Sequence, residues 1–132
     1  MPVDFTGTWT AALRRSRFLG PVPAGVTVHI EHVDPELREE ILVTRVDGRE
    51  ERAVFACRTD GEPGNSLLND RAVRGCARWE GSDLVIESWA TVGPRQVHVC
   101  DRWSLSPDGQ TLTMEHRDGD LAGQLTVLGR AG

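Results

Sequence analysis

Asp-Gly, Gly-Ser and Gly-Pro dipeptides cut this chain into runs too short for helices, and within those runs apolar and polar residues alternate. A period of two marks a strand with one buried face. Asp-Gly between two such runs marks a tight hairpin, because glycine accepts the positive φ the turn demands. Helical periodicity is almost absent. The chain reads as an all-β barrel or sandwich, with strands near residues 8–13, 26–33, 39–46, 50–57, 72–79, 84–91, 95–105, 110–117 and 121–128. Arg14 to Pro23 reads as a loop with one helical turn, and Glu62 to Asp70 as a second, more mobile loop. At 132 residues the chain fits a single domain, 1–132, large enough to bury a core.

The turns also set the register. With Asp108-Gly109 at a hairpin tip, Leu105 faces Leu112, Trp103 faces Met114 and Asp101 faces His116, while Arg102 meets Glu115 on the other face. A slip of one residue would oppose Asp101 and Glu115, so the sequence resists it. A turn at Gly81-Ser82 sets Trp79 against Leu84, Ala77 against Ile86 and Gly75 against Ser88. An even-length turn at Val92-Gly93 sets Ser88 against Val97, Ile86 against Val99 and Leu84 against Asp101. A two-residue turn at Asp118-Gly119 sets His116 against Leu121, Met114 against Gly123 and Leu112 against Leu125. Five consecutive strands then share one inner face. The hairpin around Asp47-Gly48 is less determined: Arg45 pairs with Glu50 and Phe55 points inward in the register that suits it best.

The opening Gly7-Thr8-Trp9 resembles the Gly-x-Trp signature of lipocalins and other calycins. The continuation is similar to small bacterial lipocalin-like proteins: Ser16-x-Phe18, Pro21 and Pro23, Thr59-Asp60-Gly61, then Asp101-Arg102-Trp103-Ser104-Leu105-Ser106-Pro107-Asp108-Gly109 and Leu112-Thr113. The likeness spans nearly the whole chain. It implies a single antiparallel up-and-down calycin/lipocalin-like β-barrel of about 8–10 strands with an interior cavity. It also implies structural roles for Gly7, Trp9 and Arg130, with Trp9 plugging the barrel base and Arg130 packed over it. The second lipocalin motif lacks its tyrosine here, since Gly61 follows Thr59-Asp60.

Composition narrows the chemistry. All 15 basic residues are arginine, and lysine and tyrosine are absent. Schiff-base catalysis and a Walker A loop are therefore excluded. A net charge of -5 argues against a nucleic-acid surface, and no apolar run approaches a membrane span. Cys57, Cys76 and Cys100 form no CxxC motif, so they read as reduced thiols rather than metal ligands. With no positively charged leader or apolar h-region at the start, the expectation is a cytoplasmic protein without metal or cofactor.

Inside the expected barrel, Asp101 opposite His116 is the sharpest polar feature. Opposed side chains lie about 5 Å apart at Cβ, within reach of a carboxylate–imidazole hydrogen bond. His32 continues the inward set Val26, Val28 and Ile30 and joins them as the third candidate for proton chemistry. Ligand contacts are expected from Trp79, Leu84, Ile86, Ser88, Val99, Trp103, Met114 and Leu125. Gly75, Ser88 and Gly123 leave wall space, which favours a cavity; the alternative is that they relieve strain. Trp89 points outward beside Arg74, as a cation–π partner or as the surface of a homodimer.

Two functions follow. The first is a barrel that binds a small hydrophobic molecule in its interior. The second is a cofactor-free cyclase or isomerase of a hydrophobic secondary-metabolite substrate, with Asp101 and His116 moving a proton. The second is raised by the resemblance, since similar barrels have been recruited for cyclisations.

Overall fold

The computed structural model describes residues 4–18, 21–68, 71–118 and 123–131. Ten strands follow one another: β1 (Gly7–Ala11), β2 (Gly25–Val33), β3 (Glu36–Thr44), β4 (Glu50–Arg58), β5 (Gly64–Leu68), β6 (Arg71–Glu80), β7 (Asp83–Val92), β8 (Arg95–Leu105), β9 (Thr111–Asp118) and β10 (Gln124–Arg130). One 3₁₀ turn, Leu13–Arg15, supplies the helical turn expected in the first loop. The second expected loop is corrected, because β5 lies within it and pairs antiparallel with β6. Its five residues carry too little alternation to be read as a strand.

All strands belong to one antiparallel sheet, in the order β4-β3-β2-β1-β10-β9-β8-β7-β6-β5. Each neighbour is the next strand in sequence except where β1 meets β10. The sheet curls into a nearly closed up-and-down barrel. β4 and β5 approach without forming a ladder. Phe55 of β4 instead lays its ring on Gly75 of β6, where a methyl group would come within 2.7 Å of Phe55 Cζ. The space expected at Gly75 is thus filled by Phe55, which is buried.

Two hairpins match the registers read from the turns. β6–β7 pairs Trp79 with Leu84 and Gly75 with Ser88, and β8–β9 pairs Trp103 with Met114 and Asp101 with His116. Between β7 and β8 the register moves by two, pairing Ser88 with Val99 and Ile86 with Asp101. The two-residue turn is Gly93-Pro94 rather than Val92-Gly93, and the even shift leaves the inner face intact. At Asp47-Gly48 the pairing is Thr44 with Glu50, one step from the expected Arg45–Glu50.

The β9–β10 register differs more. Met114 faces Thr126 and Leu112 faces Leu128, so the expected Met114–Gly123 and Leu112–Leu125 pairs are not formed. An odd shift turns Leu125 and Val127 outward and brings Gln124, Thr126 and Leu128 inside. Of the outer residues, Val127 is buried and Leu125 is half-buried. Arg17 exchanges two backbone hydrogen bonds with Leu125, at 2.6 and 2.9 Å, and the Ser16 hydroxyl accepts from the Val127 N–H. With the 3₁₀ turn Leu13–Arg15 against β10, apolar residues are withdrawn from solvent on both of its faces, and alternation no longer shows its orientation. The expected turn tip at Gly119 and the partner Leu121 lie outside the described residues.

One end of the barrel is a solid floor. Trp9 is fully buried, donates its indole N–H to the Phe5 carbonyl at 3.0 Å, and is paired with Arg130 across β1 and β10. The Arg130 guanidinium lies 4.3 Å from the Trp9 ring centroid and donates to the Thr6 and Gly109 carbonyls. Phe5, also fully buried, stacks on Trp79 at 5.9 Å and meets Trp103 edge-on at 5.5 Å. Ile30, Leu84, Ile86, Leu112 and Leu128 pack around these rings and are likewise fully buried. Gly7 is required twice: its φ is +148°, and a methyl group there would lie 2.6 Å from an Arg130 nitrogen. Gly7→Ala is expected to cost about 1–3 kcal/mol in urea unfolding, from backbone strain and displacement of Arg130.

Candidate functional site

Above the floor the barrel is hollow. A cavity of about 960 Å³ opens at the end formed by Phe18, Pro21 and Pro23 and by the β3–β4 and β7–β8 turns. Its wall is mostly apolar, with Val26 and Val28 from β2, Ile41 and Val43 from β3, Phe55, Val73, Val97, Val99, Trp103 and Met114. β2 and β7 thus contribute inward residues to the floor at one end, Ile30, Leu84 and Ile86, and to the cavity at the other, Val26, Val28, Ser88 and Ala90.

Of the expected ligand contacts, Ser88, Val99, Trp103 and Met114 line this cavity. Leu84 and Ile86 do not, because both are fully buried in the floor. Trp79 also belongs to the floor, stacked on Phe5 and tilted against His32. Leu125 is on the outer face, for the register reason given above. Trp89, expected outward, has its ring stacked on His98 at 5.2 Å and also borders the cavity.

His32 faces inward but sits at the closed end, away from the cavity. The Phe5 N–H donates to Nδ1 at 3.3 Å, which fixes Nδ1 as an acceptor and leaves Nε2 to donate to Asp34 at 3.0 Å. The Thr59 hydroxyl also donates to Asp34, and together with His32 holds the Asp34 carboxyl below its usual range. His32 is therefore part of a satisfied structural network tying the first residues to the β2–β3 turn. The expectation that it shares proton chemistry with Asp101 is corrected.

Asp101 and His116 do meet on the cavity wall, with Nδ1 and Oδ1 2.6 Å apart. Their side chains are 25% and 42% exposed, so the pair is wet rather than sealed in an apolar wall. A charge-assisted hydrogen bond of this length orients both groups toward the cavity.

The residue missed from sequence is Glu39. On β3 the inward set is Leu37, Glu39, Ile41 and Val43. Three apolar members of an alternating run with one carboxylate among them was the available signal, obscured because the strand was begun at Glu39. Glu39 is 7% exposed, lines the cavity, and has no hydrogen bond or ion pair among the described residues. Burial, and secondarily the charge of Asp101, push its carboxyl up to about 8. Burial also raises the thiol of Cys57 to about 12, with Glu39 and then Cys76 adding to the effect, so that cysteine is no nucleophile. Among the described residues, no group of His, Cys, Asp and Glu is arranged to hold a metal ion.

No protein-family model matches the chain, and no curated protein matches it in sequence. Solved structures do match. Apo lipid binding protein 8 of Caenorhabditis elegans has a TM-score of 0.71 at 11% identity, covering 99% of each chain. A mutant of the fluorescent protein UnaG has a TM-score of 0.68 at 17% identity, covering 97% of this chain and 96% of that one. A fatty acid binding protein of Schistosoma mansoni, in complex with arachidonic acid, has a TM-score of 0.63 at 14% identity, covering 97% and 96%. The fold is thus that of the calycin-type barrels, as the opening motifs implied.

Glu39 gives the site a stability signature. Its folded value is raised from an ordinary 4.5 to about 8. The folded state therefore holds this proton more tightly, and that stabilisation is lost as pH rises from about 4.5 through about 8. Glu39→Gln removes the loss. The variant should match the parent near pH 4 and exceed it by an amount on the order of 1–4 kcal/mol above pH 8, measured by urea unfolding across pH.

Proposed function

We propose that this barrel binds a small hydrophobic molecule in its interior. The cavity of about 960 Å³ carries the proposal, because its apolar wall stands above a floor that is packed without it. Its size lies at the upper end of the roughly 300–1,000 Å³ common for small-molecule sites. Support comes from the similar folds of a lipid binding protein and of a fatty acid binding protein holding arachidonic acid. We place the protein in the cytoplasm, where its three unbridged cysteines suit a reducing medium. Among the described residues no helix is long and apolar enough to cross a membrane.

Titration with Nile red, a neutral polarity-sensitive dye, tests the proposal. Saturable, blue-shifted emission at one dye per chain is expected. Ala90→Trp, which puts an indole into the cavity wall near its mouth, should weaken dye binding severalfold. A folded protein that leaves the dye spectrum unchanged would falsify the proposal.

The short Asp101–His116 hydrogen bond on the cavity wall favours one second function, proton transfer to a bound hydrophobic substrate in a cofactor-free isomerisation or cyclisation. Asp101→Asn and His116→Ala separate the two. Turnover that collapses by orders of magnitude, with dye affinity unchanged, assigns catalysis. Affinity reduced by about 1–3 kcal/mol, with no turnover of any candidate substrate, assigns a polar anchor.

A further inference from the structure

We infer that the cavity is suited to an apolar molecule bearing a protonated amine, and that it disfavours one bearing a carboxylate. The inference rests on the binding function proposed above and concerns the polar end of the ligand. Charge on the lining is one-sided. Glu39 and Asp101 place two carboxyl groups in the same cavity, close enough that the charge of Asp101 acts on Glu39. Among the described residues Arg45 is the one arginine on the lining. It stands at the mouth with its fork on Glu51, at 3.1 and 3.0 Å. His116 is engaged by Asp101. Arg130 lies under the floor, on Trp9.

Glu39 makes this more than a cluster of acids. It is 7% exposed, directed into the cavity, and flanked across the sheet by Ile30 and Phe55. No described side chain donates to it. A buried carboxyl without a donor or a counter-ion is costly, and the cost falls when a ligand brings both. A primary ammonium supplies a positive charge and three N–H donors, while its hydrocarbon part covers the valines and Phe55. Once Glu39 is ionised, above about pH 8, a carboxylate would add a third negative group beside Glu39 and Asp101, with no interior arginine to receive it.

The groups that act on Glu39 are Asp101 from β8, with His116 of β9 as its partner, and Cys57 from β4, whose thiol feels the Glu39 charge. Ionisation of Glu39 creates the counter-ion, so amine affinity should rise with pH up to the amine's own pKa of about 10.

Decylamine, decanol and decanoate share one chain and differ only in the head group. Each is competed against bound Nile red. At about pH 8.5 decylamine should displace the dye at a concentration about 10-fold or more below that of decanoate, the ratio expected from a single charge-assisted hydrogen bond. The gap should widen between about pH 6 and about pH 8.5, as Glu39 ionises. Glu39→Gln should remove most of it. Decanoate that equals or beats decylamine overturns the inference while the binding function stands. So does a gap that is flat with pH in the parent protein, a measurement that decides the matter even if Glu39→Gln fails to fold. A Glu39→Gln protein that keeps the full amine preference overturns it as well. Nile red that does not bind the folded parent removes the binding function itself, and the inference with it.

Discussion

The short ladder between β1 and β10 holds the molecule together. Three residue pairs, Trp9 with Arg130, Thr10 with Gly129 and Ala11 with Leu128, join the meander β2–β4 to the meander β5–β9 through the two chain ends. Three pairs are few for that task. The side chains at this junction compensate: Trp9 fills the base, Arg130 lies on its ring and reaches the carbonyls of Thr6 and of Gly109 in the β8–β9 turn, and Gly7 gives the guanidinium room. The Gly-x-Trp motif is therefore the fastening of the barrel. Because the fastening joins residues more than a hundred positions apart, the floor orders only when the whole chain has come together.

Stability and binding are separated along the barrel axis. The floor carries dense aromatic and aliphatic burial and a hydrogen-bonded His32–Asp34–Thr59 network. The hollow end carries the groups that lower stability, above all Glu39. A carboxyl buried without a partner is what a packing optimum would eliminate, and such exceptions concentrate at sites of function. The floor supplies the surplus that lets the cavity remain unfilled.

How much of this could be read in the sequence depended on what covers each face. β6 to β9 have an apolar inner face and a polar outer face, so alternation and turn chemistry fixed their faces, and in two hairpins the register to the residue. Asp101 opposite His116 came from that logic, as did Trp9 beneath Arg130 by way of the family resemblance. β10 defeated it because Val127 is buried and Leu125 half-buried on its outer face, so apolar residues lie on both sides. β5 is too brief to carry a pattern. His32 was assigned to the correct face, but a face does not give depth, and depth divides the floor from the cavity. Leu84, Ile86 and Trp79 likewise share the inner face with the cavity wall but lie at floor depth. Glu39 was legible, since its alternating neighbours Leu37, Ile41 and Val43 point inward, but only once β3 is begun before it.

The meeting of β4 and β5 has a mechanical side. Everywhere else around the wall, adjacent strands are tied by main-chain hydrogen bonds whose length is nearly fixed. Here they are joined by side-chain packing, with the Phe55 ring on Gly75 and the Gly64 backbone against Cys57. Dispersion forces let surfaces slide and stretch at little cost where hydrogen bonds would break. The circumference is therefore the compliant dimension of this barrel. A bulky guest can be accommodated by letting out one lengthwise strip while the floor and the other nine strand junctions keep their geometry.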